Sequence, residues 1–298
     1  MTYSIVARDP ETGRFGVAVQ SHYLGVGPVV PWLEAGVGAV ATQASVNISF
    51  GPIGLELLRA GRSAGEVVAA LTASDDRAGV RQLGVVDGAG MAAAHTGAEC
   101  IPACGHQVGD GFTVQGNLLE RETCWPAMAA AYEAGLAEGA PFVERLLRAL
   151  EAAEREGGDV RGRQSAAIMV VSAELQTSAW RGRIMDMRIE DHPDPVPELR
   201  RIVTMQLAYS LLDEEGDEAR AGTGTAERYG LARQMAPDAH ELVFWRGVEL
   251  ATGGDVEGGR RELLIAFAAD PRWRTTLQHL ADGGREGVTP ELAKALLA

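Results

Sequence analysis

Two short hydroxyl side chains, Thr2 and Ser4, open the chain in MTYSIVARDPETGRFGVAVQS, on the same side of a segment that alternates like a strand. Cleaving an amide takes a nucleophile, a base for its proton and donors for the developing oxyanion. A threonine at a free N-terminus brings the first two by itself, as hydroxyl and α-amine. With an ordinary pKa of about 7.7–8.0, that amine is partly neutral near pH 7 and accepts the hydroxyl proton directly or through a water. A small second residue lets an initiator methionine be removed, so loss of Met1 would expose Thr2 as a nucleophile. Ser4 becomes one only after a further trim, and an ordinary strand residue at position 2 stays open as the alternative.

Other polar groups could serve such a site. In GDVRGRQSAA, Arg161 and Arg163 occupy alternate positions before an apolar strand, where two guanidiniums could hold a substrate carboxylate with Gln164 and Ser165 as neutral donors. Pairing with Asp159 is the structural alternative. Gln43 and Asn47 in TQASVN, and Gln115 and Asn117 in VQGNLL, place amides at strand ends, suited either to an oxyanion or to tying turns. Ser21 ends the first hairpin and His22 follows it, where His22 could orient a substrate or face solvent. His95, Cys100, Cys104 and His106 could satisfy zinc chemically, but their irregular spacing reads as a loop of ordinary thiols. Asp191, His192 and Asp194 lie in EDHPDP, whose prolines read as a rigid turn into a helix. With neither a Gly-rich loop ending in GK[ST] nor a GxSxG elbow, no cofactor and no metal is expected.

Strands must carry these groups. Residues 3–8 and 15–21 are rich in β-branched and small apolar types around the turn-forming DPETG, which reads as a hairpin. A further strand is expected at about 36–44, then two helices over FGPIGLELLRAG and SAGEVVAALTASD from their i, i+3, i+4 apolar spacing. Two short strands flank DGAG in RQLGVVDGAGMAAAHTG, and FTVQGNLL is another. Two helices ending in glycine follow, CWPAMAAAYEAGLAEG and PFVERLLRALEAAEREGGD, before strands in RGRQSAAIMVVS and MDMRIED. This order suits a sheet sandwich covered by helices better than an alternating doubly wound sheet.

At 298 residues, 46% hydrophobic and 23% charged, the chain is long enough for two domains with sizeable cores. A net charge of −14 with Lys294 as the single lysine argues against nucleic acid or an anionic membrane as partner. No apolar run approaches the roughly 20 residues of a membrane span, and no basic segment followed by an apolar one opens the chain, so a cytoplasmic protein is expected. Three cysteines, an odd number, read as thiols rather than a disulfide framework. Beyond about residue 200 the pattern is helical only. Pro237 and Pro271 are 34 residues apart, as are Ala232 and Ala266, which is the period of the tetratricopeptide repeat, and Gly247 and Gly259 fall where paired helices would approach. An ordinary helical extension is the alternative.

The segments MTYSIVARDPETGRFGVAVQS, GVGAVATQASVNISFGPIGLELLRAG, RQLGVVDGAG, GHQVGDGFTVQGNLL, GDVRGRQSAA and EDHPDPVPELRR, in that order, resemble the bacterial Ntn-hydrolase-like family catalogued as domain of unknown function 1028. The resemblance covers about residues 1–203, and the tail is similar to the helical-repeat tail some members carry. It implies an α+β fold, a four-layer αββα sandwich of the kind shared with proteasome subunits and N-terminal-nucleophile amidases. The proteasome-like pattern pairs its N-terminal threonine with a core lysine and an acid after the first hairpin. Here Val19, Gln20 and Ser21 stand at the hairpin end, and residues 1–203 contain no lysine.

The resulting expectation is an Ntn-hydrolase-like domain over 1–203, a connector over 204–223 and a tetratricopeptide-like domain over 224–298. The expected activity is cleavage of a C–N bond in a small amide-containing substrate through an acyl-enzyme on Thr2. The alternative is an inactive ligand-binding scaffold whose helical tail docks a peptide or protein partner. Sandwich edges and an exposed repeat face both invite pairing, so a homodimer is expected.

Overall fold

The computed structural model describes residues 2–178, 180–212 and 225–298. Met1, whose removal the Thr2 chemistry requires, and residues 213–224, which overlap the expected connector, lie outside the described residues, as does Ala179. The chain divides into two compact units, Met1–Arg200 and Arg201–Ala298.

The first unit is mixed α+β, with two antiparallel sheets. Its strands are β1 (Thr2–Arg8), β2 (Phe15–Ser21), β3 (Pro31–Glu34), β4 (Gly38–Ala44), β5 (Arg81–Asp87), β6 (Ala92–Thr96), β7 (Gly105–Gly109), β8 (Phe112–Asn117), β9 (Ser165–Val171) and β10 (Arg183–Ile189). The six-stranded sheet has the order β10-β9-β2-β1-β8-β7 and the four-stranded sheet β3-β4-β5-β6. The DPETG reversal sets the β1–β2 register, from Thr2 opposite Ser21 to Arg8 opposite Phe15. Gly13 supplies the left-handed φ of +70° that this turn needs. Asp9 holds the turn by accepting the Thr12 hydroxyl at 2.5 Å and the Arg145 guanidinium at 2.6 Å.

Helices α1 (Phe50–Arg59) and α2 (Ala64–Ala73) pack on the outer face of the four-stranded sheet, placing Leu55, Leu58, Val67 and Leu71 against Val40, Leu83 and Val85. Helices α3 (Cys124–Ala137) and α4 (Phe142–Arg155) cover the six-stranded sheet, and α5 spans Pro195–Ser210. The inner faces of the two sheets meet through Val6, Phe15, Val17, Val19, Ala39, Ala41, Val86 and Val171. Alternation then sends residues 2 and 4 of β1 into the space between the sheets and Tyr3 toward α4, where its hydroxyl donates to Glu154.

Two strands differ from the sequence expectation. Pro31–Glu34 pairs with β4 although the Pro and Gly residues around it read as loop. Gly105–Gly109 pairs with β8 at the sheet edge, where only half-burial is needed, so its glycines and alternating polarity hide the strand.

The second unit contains α6 (Thr225–Met235), α7 (His240–Thr252), α8 (Val256–Ala269), α9 (Arg272–Asp282) and α10 (Pro290–Leu297). Its core gathers Phe244, Val248, Leu263, Phe267 and Leu277, with Trp273 stacked on Phe244 at 4.6 Å. Helices α7 and α8 meet at Gly247 and Gly259. A Cβ on Gly259 would lie 2.5 Å from the Gly247 carbonyl oxygen, so only glycine permits this approach. Among the described residues no helix is long and apolar enough to cross a membrane.

Candidate active site

Thr2 lies in the interior of the six-stranded sheet, opposite Ser21 on one side and Asn117 on the other. Its hydroxyl donates to Ser21 Oγ at 3.1 Å, and the residue is 5% exposed. Thr2, Ser21 and Gln43 line a cavity of about 70 Å³ completed by Tyr23, Val26, Val29, Val30, Ala44 and Val46. Ala44 has a φ of +68°, a left-handed conformation that costs a non-glycine residue about 1–2 kcal/mol, and it does so on the cavity wall.

Behind Thr2, amides from both sheets form one connected network. Gln43 Nε2 and Asn117 Nδ2 each donate to the Thr2 carbonyl at 3.3 Å, and each donates to Gln82 Oε1 at 2.8 Å. Gln82 Nε2 donates to the Gly116 carbonyl at 2.7 Å, the Gly105 carbonyl at 3.1 Å and the Thr96 hydroxyl at 2.9 Å. Backbone carbonyls only accept, so they fix which end of the Gln82 amide faces them. That choice propagates. Gln43 must turn its nitrogen to Gln82 and its oxygen to Ser4, whose hydroxyl donates to it at 2.6 Å. Ser4 in turn accepts from Gln115 Nε2 at 2.6 Å, and Gln115 Oε1 accepts the Thr113 hydroxyl at 3.1 Å. Ser4 is therefore fully buried with its hydroxyl both donating and accepting, and it does not line the cavity.

The remaining expected site residues divide by what they hold. Ser165 Oγ donates to the Tyr23 carbonyl at 2.6 Å and accepts the Val26 amide at 3.1 Å, fastening the loop that walls the cavity. Asn47 lies away from Thr2. Its side chain donates to Asp75 at 3.0 Å and accepts the Ser49 amide at 3.2 Å, which ties the turn into α1. Hydrogen bonds from Arg81, then Asn47 and the Arg77 amide, hold the Asp75 carboxyl down at about 2. The expected arginine clamp does not form, because each guanidinium has its own carboxylate: Arg161 pairs with Asp159 at 2.9 Å, and Arg163 with Glu154 and with Asp194 at 2.6 Å. The buried Asp159 also accepts the His22 backbone amide at 2.9 Å. The His22 ring nitrogen Nδ1 is buried and has no hydrogen-bond partner among the described residues. Gln164 binds Asp191 at 3.1 Å, and His192 accepts the Asp194 amide at 3.0 Å, so EDHPDP is a turn pinned to the RGRQS segment.

The cysteine loop does not converge on a point. Cys100 Sγ donates to the Arg81 carbonyl, Cys104 Sγ to the Cys100 carbonyl, and His106 Nδ1 meets Thr96 Oγ1 at 2.8 Å. Burial pushes all three thiols up, and burial followed by the neighbouring His95 pushes His106 down. Among the described residues no three metal-ligating side chains come together.

Two residues of the site lie outside the sequence expectation. Gln82 is an ordinary polar residue near the start of β5, and its only sequence mark is an amide at an inward position of RQLGVVD. The left-handed Ala44 carries no mark at all, since alanine gives no hint of positive φ.

No functionally curated protein matches the chain significantly. Its structure is similar to the crystal structure of a DUF1028 protein from Silicibacter pomeroyi, with 31% identity and a TM-score of 0.60, over 76% of this chain and 97% of that one. Residues 2–199 match the profile described as a family of unknown function, DUF1028. On both grounds the chain belongs to the DUF1028 family, whose function is unknown.

Proposed function

We propose that this protein is an N-terminal-nucleophile amidohydrolase, cleaving the C–N bond of a small amide after removal of Met1, on an Ntn-hydrolase-like αββα sandwich followed by a tetratricopeptide-like tail. The observation that carries the reading is the position of Thr2, which lines the 70 Å³ cavity and whose hydroxyl donates to Ser21 Oγ at 3.1 Å. Two amides hold the carbonyl of the same residue, which restricts rotation of the nucleophile's backbone. In the reaction, Thr2 Oγ1 attacks the substrate carbonyl, its proton passes through the freed α-amine to the departing amine, and water hydrolyses the resulting ester. Gln43 and Asn117 act as positioning residues rather than as free oxyanion donors, because their N–H groups are already engaged.

A second reading, a binding scaffold without turnover, is favoured by the lack of a lysine before Lys294 and by a roomier cavity of about 460 Å³ in the helical unit, lined by Tyr209, Tyr229 and Trp245. Intact mass separates the two. Protein made without an N-terminal tag is treated with a hydroxyl-directed acylating probe. Loss of Met1 with one adduct that disappears in Thr2→Ala supports the hydrolase. Retained Met1, or loss of Met1 without an adduct, refutes it.

A further inference from the structure

Taking Thr2 as the nucleophile, which rests on the proposed function, we infer that the acyl group it receives is small, uncharged and aliphatic. The cavity beside Thr2 carries the argument. Among the described residues no ionisable side chain but the Tyr23 phenol lines it, and four of the other eight lining residues are valines. Val26 and Val30, 2% and 3% exposed, form the floor, while Tyr23 at 54% and Val46 at 36% stand at the rim. An ammonium on the acyl chain would lose its hydration against valine and find no counter-ion, and a carboxylate could pair only with the freed Thr2 amine, which the mechanism needs neutral as its base. The arginines that could have paired with a carboxylate, Arg161 and Arg163, are already bound to carboxylates.

Size narrows the class further. A site needs about 10–15 Å³ of this measure per water-sized position, so about 70 Å³ offers few such positions and suits an acyl group of a few non-hydrogen atoms. Propionyl and isobutyryl fit this limit and an aromatic acyl group exceeds it. The wall is fastened. Ser165 holds Tyr23 and Val26, Gly25 donates to the Glu190 carbonyl at 2.9 Å, and Trp32 Nε1 holds the Val29 carbonyl at 3.0 Å. Enlarging the cavity would break these bonds. The leaving amine faces the rim and is less restricted.

In the step itself, a C–O bond forms between Thr2 Oγ1 and the acyl carbon as the C–N bond breaks, and the hydroxyl proton leaves on the amine. Water then adds to the ester, releasing the carboxylic acid and restoring the hydroxyl, with no change of oxidation state.

The test uses the full chain, with Met1 loss checked by mass, and four p-nitrophenyl esters as probes: acetyl, isobutyryl, monoanionic succinyl and benzoyl. Acylation of Thr2 is followed by intact mass in a single turnover, normalised to each ester's hydrolysis in buffer and mapped with Thr2→Ala. The expected result is acetyl and isobutyryl at least tenfold faster than succinyl and benzoyl. Val30→Ala should narrow the gap between benzoyl and isobutyryl. Val46→Phe, at the exposed rim where folding is not at stake, should slow isobutyryl at least fivefold. Succinyl or benzoyl as fast as isobutyryl, with Thr2 still acylated, overturns the inference and leaves the nucleophile in place. No adduct on Thr2 from any ester removes the nucleophile and this inference with it.

Discussion

Replacing Gln82 with leucine tests the network behind Thr2 at its most connected point. The side chain accepts two hydrogen bonds, and its two N–H groups are shared among three acceptors, all inside the protein. At about 0.5–1.5 kcal/mol net per bond, losing four would cost roughly 2–6 kcal/mol. Burying the leucine returns about 1.5–3 kcal/mol, and Gln43 and Asn117 both keep the Thr2 carbonyl as acceptor, so the net loss should be about 1–3 kcal/mol. Urea unfolding of the full chain followed by circular dichroism reads this directly: with a slope of about 2–3 kcal/mol/M, the midpoint should fall by roughly 0.5–1 M. Gln82→Glu is the sharper arm, because it keeps Oε1 but turns an oxygen toward two carbonyls. The introduced carboxyl should stay protonated in the fold and ionise in the unfolded chain above about pH 4.3. Its folded pKa is then the higher one, so the variant should lose stability as pH rises from 5 to 8. A Gln82→Leu protein within 0.5 kcal/mol of the parent, or a Gln82→Glu protein indifferent to pH, would refute the claim that Gln82 sets the polarity of the network.

Ala44→Gly should stabilise the protein by about 0.5–1 kcal/mol, since relief of the left-handed strain at φ +68° outweighs the added freedom of the unfolded chain; a lower thermal midpoint would contradict this. Arg145→Met should cost about 3–5 kcal/mol by leaving Asp9 buried without its ion pair, both side chains being only 2% exposed; the double variant with Asp9→Asn should recover part of the loss in the same denaturation assay. Although burial pushes the Asp9 carboxyl up, hydrogen bonds from Thr12 and Arg145 outweigh it and hold the group below its ordinary value. Asp75, held at about 2 against an ordinary 3.8, favours the fold above pH 3.8 and loses that contribution as pH falls toward 2. Asp75→Asn should therefore flatten the decline of the urea midpoint between pH 4 and 2, and an unchanged slope would count against the Arg81–Asn47 tie.

Much of the fold was legible because its strands obey simple alternation around strong turn signals. Thr2–Arg8 and Phe15–Ser21 bracket DPETG, and the amphipathic α4 shows its apolar stripe plainly. What escaped was short or at an edge. Pro31–Glu34 and Gly105–Gly109 form strands because neighbouring strands offer them partners, information that no local window contains. The site was legible as residue types and illegible as connections. Gln43, Gln115 and Asn117 were visible as strand-end amides, yet their common partner, Gln82, lies far away in sequence. Asn47 carries the same chemistry but falls one turn beyond the strand, so it ties a loop. Arg161 and Arg163 looked like a clamp from their alternation, and the acids that divide them come from different segments.

The space between the sheets separates polar from apolar residues along every central strand, and that separation bears on which hydroxyl could be a nucleophile. β1 passes from Thr2 and Ser4 to Val6, β4 from Ala39 and Ala41 to Gln43, β5 from Gln82 to Val86, and β9 from Ser165 to Val171. Packing valine throughout would give a simpler core, since every buried amide must be satisfied or carry a penalty. Here Ser4 shows the price of a structural role: its hydroxyl both donates and accepts at 2.6 Å, the residue has no exposure, and it does not line the cavity beside Thr2. Thr2 is arranged differently. The residue lines the cavity. The amides bond the Thr2 carbonyl and not its hydroxyl, which donates to another hydroxyl, Ser21. That asymmetry supports Thr2 over Ser4, and it makes a clear demand: Ser4→Ala should cost stability while leaving acylation of Thr2 within a few-fold of the parent, whereas Thr2→Ala should abolish the adduct and keep the chain folded.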